Sequence, residues 1–179
     1  MNTKKRYQTT VIPNLKTKLK KNNLMSLPKL TKIVLNRGMG SATENPSLIE
    51  LTVNQFIALT GQKPVLRKAK KSISNFKLRE NQIIGCKVTL RRDKMYHFFD
   101  KFINLASAKI RDFRGFKPSF DSEGNLTIGI RECESIFPEL TSTTVDNTHG
   151  LSITIVTSTK DKLESRILFD ELGFPFKKN

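Results

Sequence analysis

At 179 residues and 37% apolar content the chain is long enough for one well-buried core, while its formal net charge of +16 works against compactness unless something densely negative relieves the repulsion. It has no run of about eighteen apolar residues that could span a bilayer. Cys86 and Cys133 belong to no CxxC or Cys/His cluster, so neither a zinc site nor a disulfide framework is indicated.

The charge is unevenly placed. Residues 1–94 hold 21 lysines and arginines against 4 acids, and residues 95–179 hold 11 against 12. Such segregation points to nucleic acid or an anionic membrane. Membrane is the weaker reading, because the longest basic stretch is loop-like and lacks the broad apolar face of an interfacial helix. The first 25 residues are basic, acid-free and rich in Thr, the composition of a transit peptide. Lysine outweighs arginine there, however, and no apolar signal region follows, so the segment is read as mature chain.

In chain order, Val11, Ile12, Leu15 and Leu19 recur at helical spacing and predict a short amphipathic helix with a basic outer face. "LTKIVLNRG" predicts a strand with Ile33, Leu35 and Arg37 on one side and Lys32, Val34, Asn36 and Gly38 on the other. "NPSLIELTVNQFIALTG" predicts a helix capped by Asn45 or Ser47, with Pro46 in its first turn and Gly61 as terminator. The stretch from 61 to 79 holds seven cations and no acid. Within it Pro64 to Leu66 could open a strand, Arg67 to Lys71 reads as a loop, and "SISNFKL" is either strand or excursion.

"IIGCKVTLRR" is the most informative strand: Ile84, Cys86, Val88 and Leu90 alternate with Gly85, Lys87, Thr89 and Arg91, giving one apolar and one polar, basic face. Asp93 then reads as the cap of a helix whose Met95, Phe98, Phe99, Phe102, Ile103, Ala106 and Ile110 form a core-facing stripe. "SFDSEGNLTIGI" predicts a hairpin and "GLSITIVTS" a further one-faced strand. A last helix, capped near Ser158 or Thr159, runs to Leu172 and Gly173. The expected architecture is one α+β domain over residues 1–179: a single antiparallel sheet with helices on its apolar face and its polar, basic face open.

Catalytic patterns are weak. "GMGSAT" follows a strand, but Thr43 replaces the third glycine of a dinucleotide fingerprint and no suitable acid follows the next strand. His97 reads as a rim residue. Glu132, Glu134, Asp146 and His149 are the residues of a rival reading, a metal-dependent RNA nuclease, but their spacing matches no compact ligand set. Neither a cofactor nor a small-molecule substrate is expected, and the chain is read as a non-enzyme.

Binding chemistry fits better, since each lysine or arginine on a phosphate displaces a condensed counterion. Arg67 and Lys68 join Lys87 and Arg91 of the strand face, together with the basic N-terminal helix. Open-face positions carry Asn36, Lys87, Thr89, Ser152 and Thr154 in place of stacking aromatics, which suits the backbone and 2′-hydroxyl surface of a structured RNA. Phe76 is the exception, a ring that either stacks on a base or folds back on the domain. A free-standing RNA chaperone without a preferred target is the other alternative.

"IVLNRGMG", "TGQKPVLRKAKKSISNFKLRENQIIGCKVTLR", "IRDFRGF", "FDSEGNLTIGIRE", "IFPE", "GLSITIVT" and "LGFPF" resemble, in order and spacing, the family of large ribosomal subunit protein number five, bacterial and organelle type, from about Tyr7 to Phe176. The resemblance implies a curved sheet whose concave side binds 5S ribosomal RNA in the central protuberance. It implies recognition contacts at Asn36, Gln62, Lys63 and Thr89, with Arg67, Lys68, Lys87 and Arg91 as neighbouring phosphate anchors. The excursion at about 71–81, with Lys71, Ser72, Ser74, Asn75, Phe76, Lys77 and Arg79, resembles the loop that reaches peptidyl-site transfer RNA. Residues 110–145 resemble the part that meets small-subunit protein number thirteen in an intersubunit bridge. Expected partners are therefore 5S RNA, large-subunit ribosomal RNA, peptidyl-site transfer RNA and that protein, without a membrane. Arg37 and "RRDKMYHFF" depart from the family pattern. Abundant Lys, Asn and Ile favour a plastid ribosome, with bacterial cytoplasm and mitochondrion as alternatives.

Overall fold

A computed structural model describes residues 3–40, 47–110, 113–131, 133–140 and 150–177. Five strands, β1 (Leu30–Gly38), β2 (Val65–Lys68), β3 (Ile83–Leu90), β4 (Leu126–Ile130) and β5 (Leu151–Thr157), form one antiparallel sheet in the order β2-β3-β1-β5-β4. The helices are α1 (Thr3–Arg6), α2 (Ile12–Leu19), α3 (Ser47–Thr60), α4 (Arg92–Lys109), α5 (Cys133–Ile136) and α6 (Lys162–Glu171). This is the α+β class that the alternation of apolar and polar residues predicts. Contacts divide the chain into two compact units, one of Met1–Ile33, Leu90–Ile128 and Thr154–Asn179, the other of Val34–Thr89 and Gly129–Ile153.

In the first unit the N-terminal helical segment begins earlier than its apolar spacing indicates. α1 runs through a π-helical turn, Tyr7–Val11, into α2, which stops at left-handed Lys20. The reason is long-range: the Thr3 N–H and hydroxyl donate to the Asp100 carboxylate, and Lys4 Nζ stands 2.6 Å from Asp93 Oδ1. Asp93 thus lies in the first turn of α4 and pairs with Lys4. The phenylalanines are core, as their stripe predicts. Phe98 and Phe102 stack at 6.3 Å, and Phe102, Phe116, Phe169, Phe174 and Phe176 continue the cluster at ring spacings typical of tilted and edge-on pairs.

The turn before β4 is built on Asp121, whose carboxylate accepts from the Glu123 and Asn125 N–H groups at 2.9 and 2.8 Å. A single bridge, Phe120 to Leu126, closes the predicted hairpin. The cap of α6 is Asp161, which accepts from Leu163 N–H at 2.9 Å, and not Ser158 or Thr159. Thr159 instead donates to Glu164, so the polar run 158–161 contains several capable residues and only contact geometry selects among them.

In the second unit α3 buries Thr52, Phe56 and Leu59. Of its expected caps, Asn45 lies outside the described residues, as does Pro46, and Ser47 is the first residue of the helix. Leu35, Cys86, Val88, Leu151 and Ile153 supply the apolar strand side. Arg37 shares that side and is buried, with its guanidinium donating to Gln55 Oε1 at 2.7 Å and to Cys133 Sγ, 6.0 Å from the centre of the Phe56 ring. Both cysteines are buried thiols outside any disulfide, and burial pushes Cys86 up to about 11 against the opposing pull of Arg37.

Candidate nucleic-acid interface

The open face of the second unit is set by β3 and its neighbours. Lys87 and Thr89 are half-buried between the fully buried Cys86, Val88 and Leu90. β2 pairs antiparallel with β3, placing Val65 opposite Lys87 and Arg67 opposite Gly85. Strand alternation puts Val65, Arg67, Lys87 and Thr89 on one side. A bulge then separates Arg67 from Lys68, whose partner is Ile83. Lys68 is exposed, but alternation turns it away from the row of Arg67. Arg67 and Lys68 are therefore strand residues, whereas the cation run alone read as loop.

β1 brings Asn36 to the same face. It is exposed between buried Leu35 and Arg37. Met39 N–H donates to Ile84 O at 2.8 Å, and this antiparallel register sets Asn36 level with Lys87. Gly85 permits the close pairing, because a Cβ there would stand 3.0 Å from Arg37 O. Arg37 itself contributes nothing to the open face, being on the opposite side of its strand.

Gln62 and Lys63 arrive from the end of α3. Gly61 takes φ +64 and donates its N–H to Ile57 O, while the Thr60 hydroxyl accepts from Gln62 N–H at 3.2 Å. This tight exit carries the Gln62 amide to 3.5 Å from Thr89 O, the far limit of a hydrogen bond, and leaves Lys63 exposed. Asn36, Gln62, Lys63, Arg67, Lys87 and Thr89 thus share one unit. Arg91 is exposed and belongs to the first unit.

The excursion is closed by its own backbone hydrogen bonds. Ile73 and Leu78 exchange backbone hydrogen bonds at 2.9 and 3.1 Å across a 3-10 turn, Ser74–Phe76, and Lys77 adopts the left-handed conformation. Below it, Ser72 Oγ accepts from Glu80 N–H, and Ala69 pairs with Asn81 and Gln82 through the backbone. Lys71, Ser72, Ser74, Asn75, Lys77 and Arg79 are all exposed. Phe76 does not fold back: it is 75% exposed at the tip. Lys77, Arg79, Glu80, Asn81 and Gln82 line an open hollow of about 430 Å³ beside it.

Two features escaped the sequence reading. Val65, 62% exposed, adds an apolar contact to the row of Arg67 and Lys87; its signal was the alternation of "VLRK", hidden by the cations. The other is charge pairing in the first unit. Lys18 and Lys21 Nζ lie 2.5 Å from Glu171 and Glu164, and Lys4 pairs with Asp93, so part of the N-terminal positive charge is met by acids of distant sequence.

For the rival chemistry, Glu132, Asp146, His149 and the Glu134 side chain lie outside the described residues. Among the described residues no group of three His, Cys, Asp or Glu side chains could hold a metal ion. No described helix is long and apolar enough to cross a membrane.

Comparison with known proteins agrees with this architecture. Residues 23–79 match the family model described as ribosomal protein L5, and residues 83–176 match the model for the C-terminus of the same ribosomal family. The large ribosomal subunit protein uL5 of Pelodictyon phaeoclathratiforme is 50% identical over 173 residues, covering 96% of this chain and 88% of that protein. Proteins of the same name from Prochlorococcus marinus strain AS9601 and Synechococcus sp. strain CC9311 are each 47% identical over 180 aligned positions, covering both chains completely. This chain belongs to the ribosomal protein L5 family, a family of RNA-binding structural constituents of the large ribosomal subunit and not a class of enzymes.

Proposed function

We propose that the open face around Asn36, Gln62, Lys87 and Thr89 binds 5S ribosomal RNA in the central protuberance, with Lys63 and Arg67 as phosphate anchors; Lys68, turned to the other side of β2, and Arg91, of the first unit, are proposed as separate phosphate contacts. The observation that carries this reading is a half-exposed polar row flanked by cations and free of aromatic rings. Short hydrogen-bonding side chains at that spacing meet ribose hydroxyls and backbone, and the cations neutralise the flanking phosphates.

The excursion at 71–81 is proposed to reach a second RNA, the peptidyl-site transfer RNA. Its closed backbone supports this, because a preformed loop loses little conformational entropy on docking. The region 110–145 is proposed to meet small-subunit protein number thirteen, on the strength of the resemblance and its near-neutral, acid-containing composition.

The test is filter binding of the purified chain to 5S RNA, with transfer RNA as competitor. Asn36→Ala and Thr89→Ala are each expected to weaken 5S binding by roughly 1 kcal/mol or more, the loss of one interfacial hydrogen bond. Unchanged affinity in both variants would put the face elsewhere, and equal competition by transfer RNA would favour an unselective chaperone. Cleavage of 5S RNA in magnesium, abolished by Glu134→Ala, would favour the nuclease.

A further inference from the structure

Two short segments of the first unit are tied together. Lys29 N–H donates to Ser158 Oγ and Ser158 N–H to Lys29 O, both at 3.0 Å, and Lys21 Nζ reaches Glu164 Oε1 at 2.5 Å. Leu24 and Met25 lie between the ties on one segment, 57% and 84% exposed, and Leu163 lies on the other, 70% exposed. Lys20, Lys29, Lys160 and Lys162 on the same segments are also exposed.

Met25 does not sit on a slack loop. Its N–H donates to Asn23 Oδ1 at 2.9 Å, the Ser26 N–H and hydroxyl both donate to Asn23 O, and Leu27 N–H donates to Leu24 O. Leu27 and Pro28 then turn inward and are buried. The 3-10 turn Leu24–Ser26 therefore fixes two large apolar side chains outward within a lysine-rich surround.

We infer that this turn is a second RNA-docking surface, separate from the open sheet face, in which Met25 and Leu24 pack as an apolar wedge while Lys20 and Lys29 meet flanking phosphates. Charge chooses the partner: Glu164 meets Lys21, but exposed Lys20, Lys29, Lys160 and Lys162 on the two segments outnumber the exposed acid Asp161. So does size, since three side chains fall well short of the roughly 800 Å² per partner that a stable protein interface buries. An RNA contact draws its affinity from phosphates and needs only a small apolar insertion. The inference rests on the family's ribosomal setting and not on the assignment of the 5S face.

The full-length chain is tested against protein-free large-subunit ribosomal RNA. Met25→Glu is expected to weaken binding roughly five-fold or more by placing a carboxylate among phosphates, and Met25→Leu to stay within about two-fold. In parallel, Met25→Cys is coupled to an aryl azide; Cys86 and Cys133 are fully buried, so the new thiol takes the label. On irradiation in assembled subunits it should link to RNA. Linkage to a protein, or unchanged binding by Met25→Glu, overturns the inference. Retention of the cross-link by Asn36→Ala separates this surface from the sheet face, and its loss in that variant would remove the turn's independent contact.

Discussion

Arg37 and Gln55 are joined on the buried side of β1, the guanidinium donating to Oε1 at 2.7 Å, while the adjacent Asn36 side chain points to the open face. One residue step along the strand therefore separates a structural cation from a candidate recognition group. Gln55 also donates through Nε2 to Leu140 O at 2.9 Å, bridging Arg37 to the 3-10 turn Pro138–Leu140. Gln55→Leu removes both bonds and is expected to cost about 1–3 kcal/mol, because a buried charged donor loses its acceptor. Urea denaturation should show the loss while 5S affinity of the folded fraction stays unchanged. A drop in affinity without a drop in stability would count against a purely structural Arg37.

The difference between Arg37 and Asn36 also shows how far the residues themselves reveal the structure. Alternation in "IVLNRG" and "IIGCKVTLRR" assigns faces without ambiguity, because a pleated strand has a side-chain period of two and one side must be buried. It places Arg37 on the apolar side, yet only the positions of Gln55 and Cys133, 18 and 96 residues away, show what satisfies it there. The start of α1 and the capping of α6 depend likewise on partners distant in sequence or on competition among neighbouring polar residues. Lys68 shows a third limit, since the bulge beside it arises from pairing with β3 and leaves no local composition signal. Recognition of the family came from long motifs, whereas composition alone led only as far as a structured polyanion.

Cations of different surroundings should differ in their salt signature. Arg67 is exposed opposite Gly85 on the open face, whereas Lys18 is held 2.5 Å from Glu171. Arg67→Ala is expected to reduce the slope of log affinity against log salt by about 0.7–0.9, the share of one phosphate contact, and so is Lys70→Ala, an exposed cation just after β2. Lys18→Ala should leave the slope in place. Titrating 5S binding with potassium chloride checks all three, and a slope unaffected by Arg67→Ala would remove that residue from the interface.

Gly115 occupies φ +96, and a Cβ there would stand 2.5 Å from Lys177 N and Phe176 C. The backbone closes on itself at this point, with Phe116 N–H donating to Pro175 O and Lys177 N–H to Phe116 O. Gly115→Ala combines a disfavoured conformation with overlap against main chain that cannot rotate away. A loss of about 2 kcal/mol or more is expected. Thermal denaturation followed by circular dichroism tests this, and a Tm equal to that of the parent would mean the segment rearranges freely.

Glu171 links α6 to α2 and gives the fold an acid-sensitive contact. Hydrogen bonds from Lys18 and then Asn14 hold its carboxyl below the ordinary value of 4.5, against the opposing effect of burial. Because the folded-state value is depressed, the contact stabilises the fold above the unfolded value and is lost as pH falls through the folded one. Asp93, held low by Lys4, and Asp121, held low by Asn125, act in the same direction. Glu171→Gln should therefore lower Tm near neutral pH, and the gap to the parent should narrow as acidification takes the pH below the ordinary value of 4.5 and through the depressed folded-state value, where the parent's carboxylate is protonated as well. Thermal scans of both proteins across that window provide the check. A gap that persists unchanged at the acid end would show that Glu171 acts through packing and not through its charge.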